Sequence, residues 1–270
     1  MLRSEGDRLK QVVVCTPKQE YFVGTSQVEL HNIGTLADPE IPAMQHDLLK
    51  KSLKEFGAEV IDLPEMKEHP NSVFTRDTAV CTPAGYVKVR LGLPTREGED
   101  VWMSEALDKI GMKCAGEITS PGTVEGGDVV LAGDVAFIGQ SVRTNEEGIK
   151  QLSAILQPMG FEVRVIKLPD TILHLDKALM TLGSNRILYC KNIVNKEMLE
   201  GFDGIEIVTG GDVTANIICL GDNELIINQS NGTVIKRLKG KGFTVHEMNL
   251  DEFAKGMGGP NCLIMPIVRG

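Results

Sequence analysis

A glycine followed by a short apolar strand recurs five times along this 270-residue chain, and this recurrence most limits its fold. The repeats begin roughly 40 to 55 residues apart, a spacing typical of propellers and other repeat arrays. They cover residues 57–63, 111–115, 160–166, 204–208 and 242–247. Because glycine readily takes the left-handed conformation that ends a helix, each repeat is predicted to pass from a helix into a strand.

Helices and hairpins are predicted between these glycines. Residues 44–56 and 148–159 each carry a stripe of large apolar side chains at helical spacing. In the first, the stripe consists of Leu48, Leu49, Leu53 and Phe56. Four pairs of β-forming runs are separated by turn residues and predict hairpins. They are residues 78–81 with 86–89, 129–131 with 135–138, 178–181 with 186–189, and 217–220 with 224–227.

The two ends of the chain supply the missing fifth pair, because residues 9–15 and 263–268 are both strand-like. The unit is then strand–strand–helix–strand, repeated five times and closed by joining the ends. We therefore predict an α/β fold, a five-bladed ββαβ propeller with pseudo-fivefold symmetry, formed as a single domain over residues 1–270. An ordinary α/β sheet without internal symmetry is the alternative.

Composition narrows the class of protein. Hydrophobic residues make up 42% of the chain, enough for a substantial core, and the net charge of −9 argues against nucleic-acid binding. No run of 18 apolar residues indicates a membrane span, and the polar N-terminal residues do not resemble a signal peptide, so we expect a cytoplasmic protein. Six cysteines without a CxxC pair indicate reduced thiols, and no zinc-site spacing occurs.

Polar motifs stand at equivalent positions of the five units, where a purely structural repeat would not need them. They are residues 71–77, 125–128, 174–176, 215–216 and 261–262. A closed array would gather them around one centre, as a pocket with several carboxylates, one imidazole and one thiol. Gly258 and Gly259 precede the thiol and allow the backbone to approach a ligand closely.

These residue types suggest nucleophilic catalysis on a cation. Cys262 could be the nucleophile and His174 the general acid and base. Asp77 and Asp176 could grip a planar guanidinium from two directions, with Glu125 as a partner of either the cation or His174.

Each residue also has a structural explanation. A single cysteine before a strand is more often core packing, and a single histidine in an apolar stretch is more often a satisfied core residue. Asp128 could cap a turn, and Arg76 beside Asp77 could form a surface pair. Taken together, the five motifs favour a catalytic pocket.

Four motifs resemble those of the guanidino-group-modifying enzymes, a superfamily that includes arginine deiminase, dimethylarginine dimethylaminohydrolase and the arginine amidinotransferases. They are Phe-Thr-Arg-Asp at 74–77, Val-Glu-Gly-Gly-Asp at 124–128, His-Leu-Asp at 174–176 and Gly-Gly-Pro-Asn-Cys at 258–262. The resemblance implies the five-bladed pentein fold, and thiol chemistry that needs no metal or organic cofactor. The length of the chain is similar to that of the compact members, which lack the helical insertion of arginine deiminase.

The resemblance also implies roles for single residues. Cys262, His174 and Glu125 would be catalytic, and Asp77, Asp176 and Phe74 would bind the substrate. Arg96 and Arg143 would hold the α-carboxylate, with Asn71 near the α-amino group, and residues 16–36 would form a mobile lid. Asn71, Arg76, Asp77 and Asp176 match the pattern for unmethylated arginine, whereas Asn261 departs from the histidine of many members.

The expected reaction is hydrolysis of a guanidinium C–N bond of free arginine or Nω-methylarginine, giving citrulline and ammonia or a methylamine. Three alternatives stay open: a second hydrolysis to ornithine, transfer of the amidino group to an amine, and a non-catalytic guanidine-binding module. The expected partner is a small-molecule guanidine, and a homodimer is the base-rate expectation for assembly.

Overall fold

The computed structural model describes residues 2–21, 40–211 and 213–270. The described strands are β1 (Leu9–Cys15), β2 (Glu59–Leu63), β3 (Ala79–Thr82), β4 (Gly85–Lys88), β5 (Cys114–Glu117), β6 (Val129–Ala132), β7 (Val135–Gln140), β8 (Glu162–Lys167), β9 (Leu179–Gly183), β10 (Arg186–Cys190), β11 (Asp203–Ile207), β12 (Ile218–Gly221), β13 (Glu224–Asn228), β14 (Thr244–Met248) and β15 (Met265–Arg269). The described α-helices are α1 (Ile41–Glu55), α2 (Glu99–Lys109), α3 (Glu146–Leu156), α4 (Gly232–Lys239) and α5 (Asp251–Lys255).

The strands form five small sheets with one shared plan. The sheets are β15-β1-β2, β3-β4-β5, β6-β7-β8, β9-β10-β11 and β12-β13-β14. In each, the middle strand pairs antiparallel with one neighbour and parallel with the other. The predicted hairpins are confirmed, and β1 pairs with β15 as expected, so the two ends of the chain meet in one sheet.

Neighbouring sheets touch mainly through their innermost strands, β15, β3, β6, β9 and β12, and in one case through the middle strand β1. Contacts run from β15 to β3, from β6 to β9, from β9 to β12 and from β12 to β1, while one-turn helices ahead of β3 and β6 contact each other. These inner strands are almost wholly buried, whereas the third strand of each sheet is largely exposed or half-buried. The five sheets thus fit a propeller-like arrangement. Inner strands buried on both faces explain the continuous apolar runs in the sequence.

One predicted repeat boundary is wrong. Four of the five marker glycines have the left-handed backbone expected at a helix end, namely Gly57, Gly111, Gly160 and Gly242. Gly204 instead lies inside β11, and the glycine with positive φ ahead of that strand is Gly201 (φ 85°). In this unit a short 3-10 helix (Lys196–Leu199) replaces the α-helix, so the glycine that ends it comes earlier.

The predicted apolar stripe on α1 is only partly right. Leu49 and Leu53 are buried, but Leu48 is 52% exposed. The buried face of the helix includes two polar residues, Gln45 and His46. Gln45 bonds to the side chain of Asn249, which satisfies its amide in the interior. Hydrophobic periodicity cannot identify such positions. Among the described helices, none combines the length and apolar character that crossing a membrane requires.

Candidate active site

The polar motifs meet where five short segments lead into the innermost strands. Asp77 precedes β3, Glu125 precedes β6, Asp176 precedes β9, Asn216 precedes β12 and Cys262 precedes β15. All five side chains are buried. The segments are irregular or one-turn 3-10 helices, and hydrogen bonds join several of the side chains that they carry. The structure therefore brings the predicted residues together.

His174 lies between two carboxylates. Its Nε2 is 2.7 Å from Oε2 of Glu125, and its Nδ1 is 3.6 Å from Oδ1 of Asp77. Burial alone would lower the pKa of His174, but the charge of Asp77 and the hydrogen bond to Glu125, with Asp128, raise it to about 9. The imidazole therefore carries a proton at neutral pH and can act as a general acid.

Glu125 is held as a charged carboxylate. Burial would raise its pKa, but the hydrogen bond and charge of His174, together with Arg96 and Arg143, hold the pKa well below its usual range. Its Oε1 accepts from Nη1 of Arg143 at 3.3 Å and from the backbone N–H of Gly92 at 3.1 Å. An ionised Glu125 fixes the orientation of the imidazole and favours its protonated form.

Arg96 is bound by acidic side chains of the protein itself. Its Nη1 donates to Oδ2 of Asp77 at 2.6 Å, and its Nε and Nη2 donate to Oε2 of Glu99 at 2.9 and 2.7 Å. Arg143 contacts Glu125 and also lines the cleft described below. Binding of a substrate α-carboxylate by Arg96 and Arg143 remains a prediction, and Glu99 is a partner that the sequence did not reveal.

The Cys262 thiol is buried beside a carboxylate and an amide. Its Sγ is 3.2 Å from Nδ2 of Asn216 and 3.7 Å from Oδ2 of Asp176. Burial, followed by the negative charge of Asp176, raises the pKa of this thiol to about 12. Without a bound cation the sulfur therefore keeps its proton at neutral pH, and a positively charged ligand would favour the thiolate.

Two carboxylate oxygens near the thiol have no hydrogen-bond partner. Oδ2 of Asp176 accepts from the side chains of Asn216 (2.7 Å) and Asn261 (3.1 Å), whereas its Oδ1 is buried and unpartnered. Oδ1 of Asp77 is likewise buried without a hydrogen bond. Because a buried acceptor without a donor is costly, this pair suits a ligand that brings several N–H groups.

A narrow cleft leads to these groups. It is lined by Asn71, Phe74, Asp77, Arg96, Arg143, Leu173, His174, Gly256, Met257, Gly258 and Cys262. Glu125 and Asp176 are not part of this lining but contact His174 and Cys262, which are. A wider hollow lies along the turn at 257–260, but the thiol, the imidazole and the carboxylates are absent from its described lining. The narrow cleft is therefore the candidate active site.

The glycine pair before Cys262 is required by close packing. A Cβ on Gly258 would overlap the ring of Phe74, and a Cβ on Gly259 would overlap the side-chain amide of Asn216. Any larger residue would push this turn away from the cleft. The turn therefore fixes Cys262 against Asn216 and sets one wall of the site.

Arg76 lies outside the site although it adjoins Asp77. It is buried, and its Nη2 pairs with Oε1 of Glu5 at 2.7 Å, so the alternative of a surface pair is wrong. Asp128 accepts from the backbone N–H of Leu175 at 2.9 Å and therefore holds the His174 segment in place. Burial raises the pKa of Asp128 to about 7.

The predicted lid at residues 16–36 falls mostly outside the described residues. In its described part, the carboxylate of Glu65 accepts backbone N–H groups from residues 18–21. Tyr21 is buried against Phe74, with ring centroids 6.2 Å apart. The first residues of this segment thus contact one wall of the cleft.

The donor atoms of Asp77, Glu125 and His174 lie within 4.8 Å of one another and could hold a metal ion. Arg96 and Arg143 already contact the same carboxylates, and their positive charges oppose a second cation there. The arrangement suits acid–base chemistry beside a nucleophile better than metal binding.

Comparison with known proteins agrees with this site. The arginine deiminase family model matches residues 63–214 and 201–269. The chain is 32% identical over 255 residues to a dimethylarginine dimethylaminohydrolase of Pseudomonas aeruginosa, covering 94% of this chain and 98% of the relative. It is 25% identical to an arginine deiminase of Listeria welshimeri, covering 93% of this chain and 74% of the relative.

A solved structure shares the fold. A variant of the Pseudomonas aeruginosa dimethylarginine dimethylaminohydrolase complexed with citrulline superposes with a TM-score of 0.84 at 28% identity, covering 96% of this chain and 99% of that chain. The five small sheets, the cysteine beside an imidazole and paired carboxylates, and the family match all agree. This chain belongs to the arginine deiminase family of amidine-hydrolysing enzymes.

Proposed function

We propose that this protein hydrolyses a guanidinium C–N bond of free arginine or Nω-methylarginine, giving citrulline and ammonia or a methylamine. The observation that carries the proposal is the set of groups around Cys262. The thiol lies 3.7 Å from the carboxylate of Asp176, and Asp77 and Asp176 each keep one buried oxygen without a hydrogen bond. His174, which Glu125 holds, lines the same cleft as Asp77 and Cys262. A guanidinium placed between the two aspartates would bring its carbon close to the sulfur.

The first half of the reaction forms a covalent intermediate. The bound guanidinium places a positive charge near the thiol and lowers its pKa. Cys262 then loses its proton to solvent, and the thiolate attacks the guanidinium carbon. A C–S bond forms. His174 then gives its proton to the departing nitrogen, the C–N bond breaks, and ammonia or methylamine leaves an amidino-thioether on Cys262.

The second half returns the enzyme to its starting state. Neutral His174 takes a proton from water, which attacks the same carbon. The C–S bond breaks, the ureido group of citrulline forms as the hydroxyl proton of the adduct is released, and the departing sulfur takes up a proton to restore the thiol beside protonated His174. Glu125 keeps the imidazole oriented in both halves through its 2.7 Å contact.

Two substrates remain in competition. Unmethylated arginine has five guanidinium N–H donors, which favours it for a site with two unpartnered carboxylate oxygens. The similarity to the Pseudomonas relative favours dimethylarginine, which keeps fewer donors. The contacts of Asp77 and Asp176 lead us to propose arginine as the better substrate.

Product analysis tests this proposal. Mass spectrometry after incubation with arginine, methylarginines and agmatine should show citrulline with arginine at the highest rate. Cys262→Ser should lower turnover at least about 10³-fold, because the nucleophile is lost. The matched control Cys114→Ser, at an exposed cysteine, should be unaffected.

Other products would identify the alternatives. Ornithine with two ammonia molecules would indicate a second hydrolysis, and an amidino group on an added amine would indicate transfer. Binding of arginine by calorimetry without any product would indicate a guanidine-binding module. Unchanged turnover in Cys262→Ser would overturn the mechanism.

We further propose that the five sheets close into a five-bladed propeller forming a single catalytic domain over residues 1–270. The contacts between successive inner strands and the β1–β15 pair support this closure. Assembly as a homodimer and a cytoplasmic location are expectations from sequence, which light scattering and cell fractionation would test.

A further inference from the structure

Asn216 links the nucleophile to one of the two aspartates. Its Nδ2 is 3.2 Å from Sγ of Cys262 and 2.7 Å from Oδ2 of Asp176. Its Oδ1 accepts the backbone N–H of Asn261 at 2.9 Å. The side chain is buried, so each of these polar atoms is paired within the protein. A single amide therefore connects the thiol, the aspartate and the backbone beside the thiol.

The orientation of this amide is fixed by its partners. A backbone N–H can only donate, so the atom facing Asn261 must be the oxygen. The NH₂ group is then left facing Cys262 and Asp176, with one hydrogen for each. The amide dipole consequently presents its positive end to the sulfur.

The packing of the chain keeps Asn216 in this position. Gly259 lies so close that any Cβ there would overlap the Asn216 amide. The turn at 256–262 therefore rests on Asn216 from one side, and Asp176 holds it from another. This contact explains why residue 259, three positions before Cys262, is a glycine.

We propose that Asn216 is a catalytic residue of this site, whose side-chain N–H stabilises the Cys262 thiolate. A hydrogen bond from a neutral donor to an ionised acceptor is stronger than one to its neutral form. Asn216 is the side chain in the described part of the chain that is placed to donate to Sγ. Loss of this donor should make the thiol harder to ionise.

Other groups around the sulfur also affect how readily the thiol ionises. Asp176 and Asp77 oppose formation of the thiolate, while the charge of Lys177 and the backbone at Gly259 favour it. The Nζ of Lys177 itself bonds to the carbonyl of Met257. The imidazolium of His174 lines the same cleft, 3.6 Å from Asp77. Substitution of Asn216 leaves all these charges in place.

The test measures ionisation of the thiol without any turnover. The rate of alkylation of Cys262 by iodoacetamide, read by peptide mass spectrometry, is compared between wild type and Asn216→Ala at about pH 8, far below the pKa of the thiol, where the rate is proportional to the small thiolate fraction. The rate should fall about tenfold or more in the variant, the loss expected for one hydrogen bond to a charged group. An unchanged rate would overturn the proposal.

A matched control separates the thiol from the aspartate. Asn261 donates to the same Oδ2 of Asp176 at 3.1 Å and to no described atom of Cys262. Asn261→Ala should therefore leave the alkylation rate close to that of wild type. A fall in rate as large as that of Asn216→Ala would show that the effect runs through Asp176, and the proposal would fail.

A second variant guards against misfolding. Asn216→Asp keeps the shape and the acceptor for the Asn261 N–H, but its carboxyl group, which would share a proton with the neighbouring Asp176, no longer offers an N–H to Sγ. Its alkylation rate should fall at least as far as that of Asn216→Ala, and a rate equal to or above that of wild type would contradict the role. Asn216→Ala should also lower kcat about ten- to hundredfold with little change in KM, and this expectation rests on the proposed function. The alkylation result does not depend on the proposed function, so the two proposals can fail separately.

Discussion

Two consecutive residues, Arg76 and Asp77, each form a buried arginine–carboxylate pair in this molecule. Arg76 turns toward the N-terminal segment and pairs with Glu5 at 2.7 Å. Asp77 turns toward the cleft and pairs with Arg96 at 2.6 Å. Both pairs are almost fully buried, yet only the second adjoins a nucleophile and an imidazole.

The comparison shows what identifies a binding site in such an interior. Oε2 of Glu5 lacks a hydrogen bond just as Oδ1 of Asp77 does. The hollow beside Glu5 is lined mostly by apolar side chains together with Arg76. An unpartnered carboxylate oxygen is therefore not enough. It indicates chemistry at Asp77 because Cys262 and His174 share the same cleft.

The largest effect is expected from a change in the Asp77–Arg96 pair, which lines the cleft. Asp77→Asn should lower kcat/KM for arginine about 10²- to 10³-fold, because a charged acceptor for the guanidinium and a partner of His174 are lost. Steady-state kinetics with arginine measures this. Retention of wild-type kcat/KM in a folded variant would remove Asp77 from the substrate site.

The other pair should affect stability instead of catalysis. Glu5→Gln leaves the buried Arg76 charge unpaired and should lower the free energy of unfolding by about 3–5 kcal/mol. Urea denaturation measures this, and kcat at a temperature where the variant stays folded should remain near wild type. A loss of kcat as large as that of Asp77→Asn would end the distinction between the two pairs.

Protonation of His174, which lines the cleft, should stabilise the fold. Since its pKa is raised to about 9, the contribution is complete below the ordinary pKa of histidine, near 6.5, and is lost as pH rises through 9. The free energy of unfolding should fall between pH 6.5 and 9.5 by an amount on the order of 3 kcal/mol at most. In His174→Gln this fall should be smaller, and an equal fall would show that other groups cause it.

The smallest effect is expected for an ion pair whose side chains are exposed to water. Lys239 and Glu247 form a surface pair at 2.6 Å, with side chains 51% and 43% exposed. Lys239→Ala should change the free energy of unfolding by less than about 1 kcal/mol and leave kcat unchanged. A loss comparable to that of Glu5→Gln would mean that burial does not distinguish these pairs.

Much of this architecture follows from local patterns in the sequence. The four hairpins and the pair formed by the chain ends could be predicted because their inner strands are buried on both faces, which leaves unbroken runs of β-forming residues. The positions of Asp77, Glu125, His174 and Cys262 at equivalent points of the units predicted that they would meet. Gly204 was misassigned because a run of β-forming residues follows it as in the other four repeats, whereas the glycine that follows the short 3-10 helix is Gly201.

Contacts between distant parts of the chain could not be predicted. Glu5 and Arg76 are far apart in sequence, and no periodicity connects them. Asn216 was found among the polar motifs, but its bond to the sulfur of Cys262 depends on how the turn at 256–262 packs. Arg96 was expected to face a ligand, whereas Asp77 and Glu99 already bind it.

The central claim is that Cys262 carries a covalent intermediate while Asp77 and Asp176 hold the guanidinium. Rapid acid quenching of the wild-type enzyme during turnover of arginine, followed by peptide mass spectrometry, tests it most directly. We expect an adduct on the peptide that contains Cys262, with the mass of arginine less that of ammonia. Citrulline formation with the adduct on another residue, or at an undiminished rate in Cys262→Ser, would contradict the account.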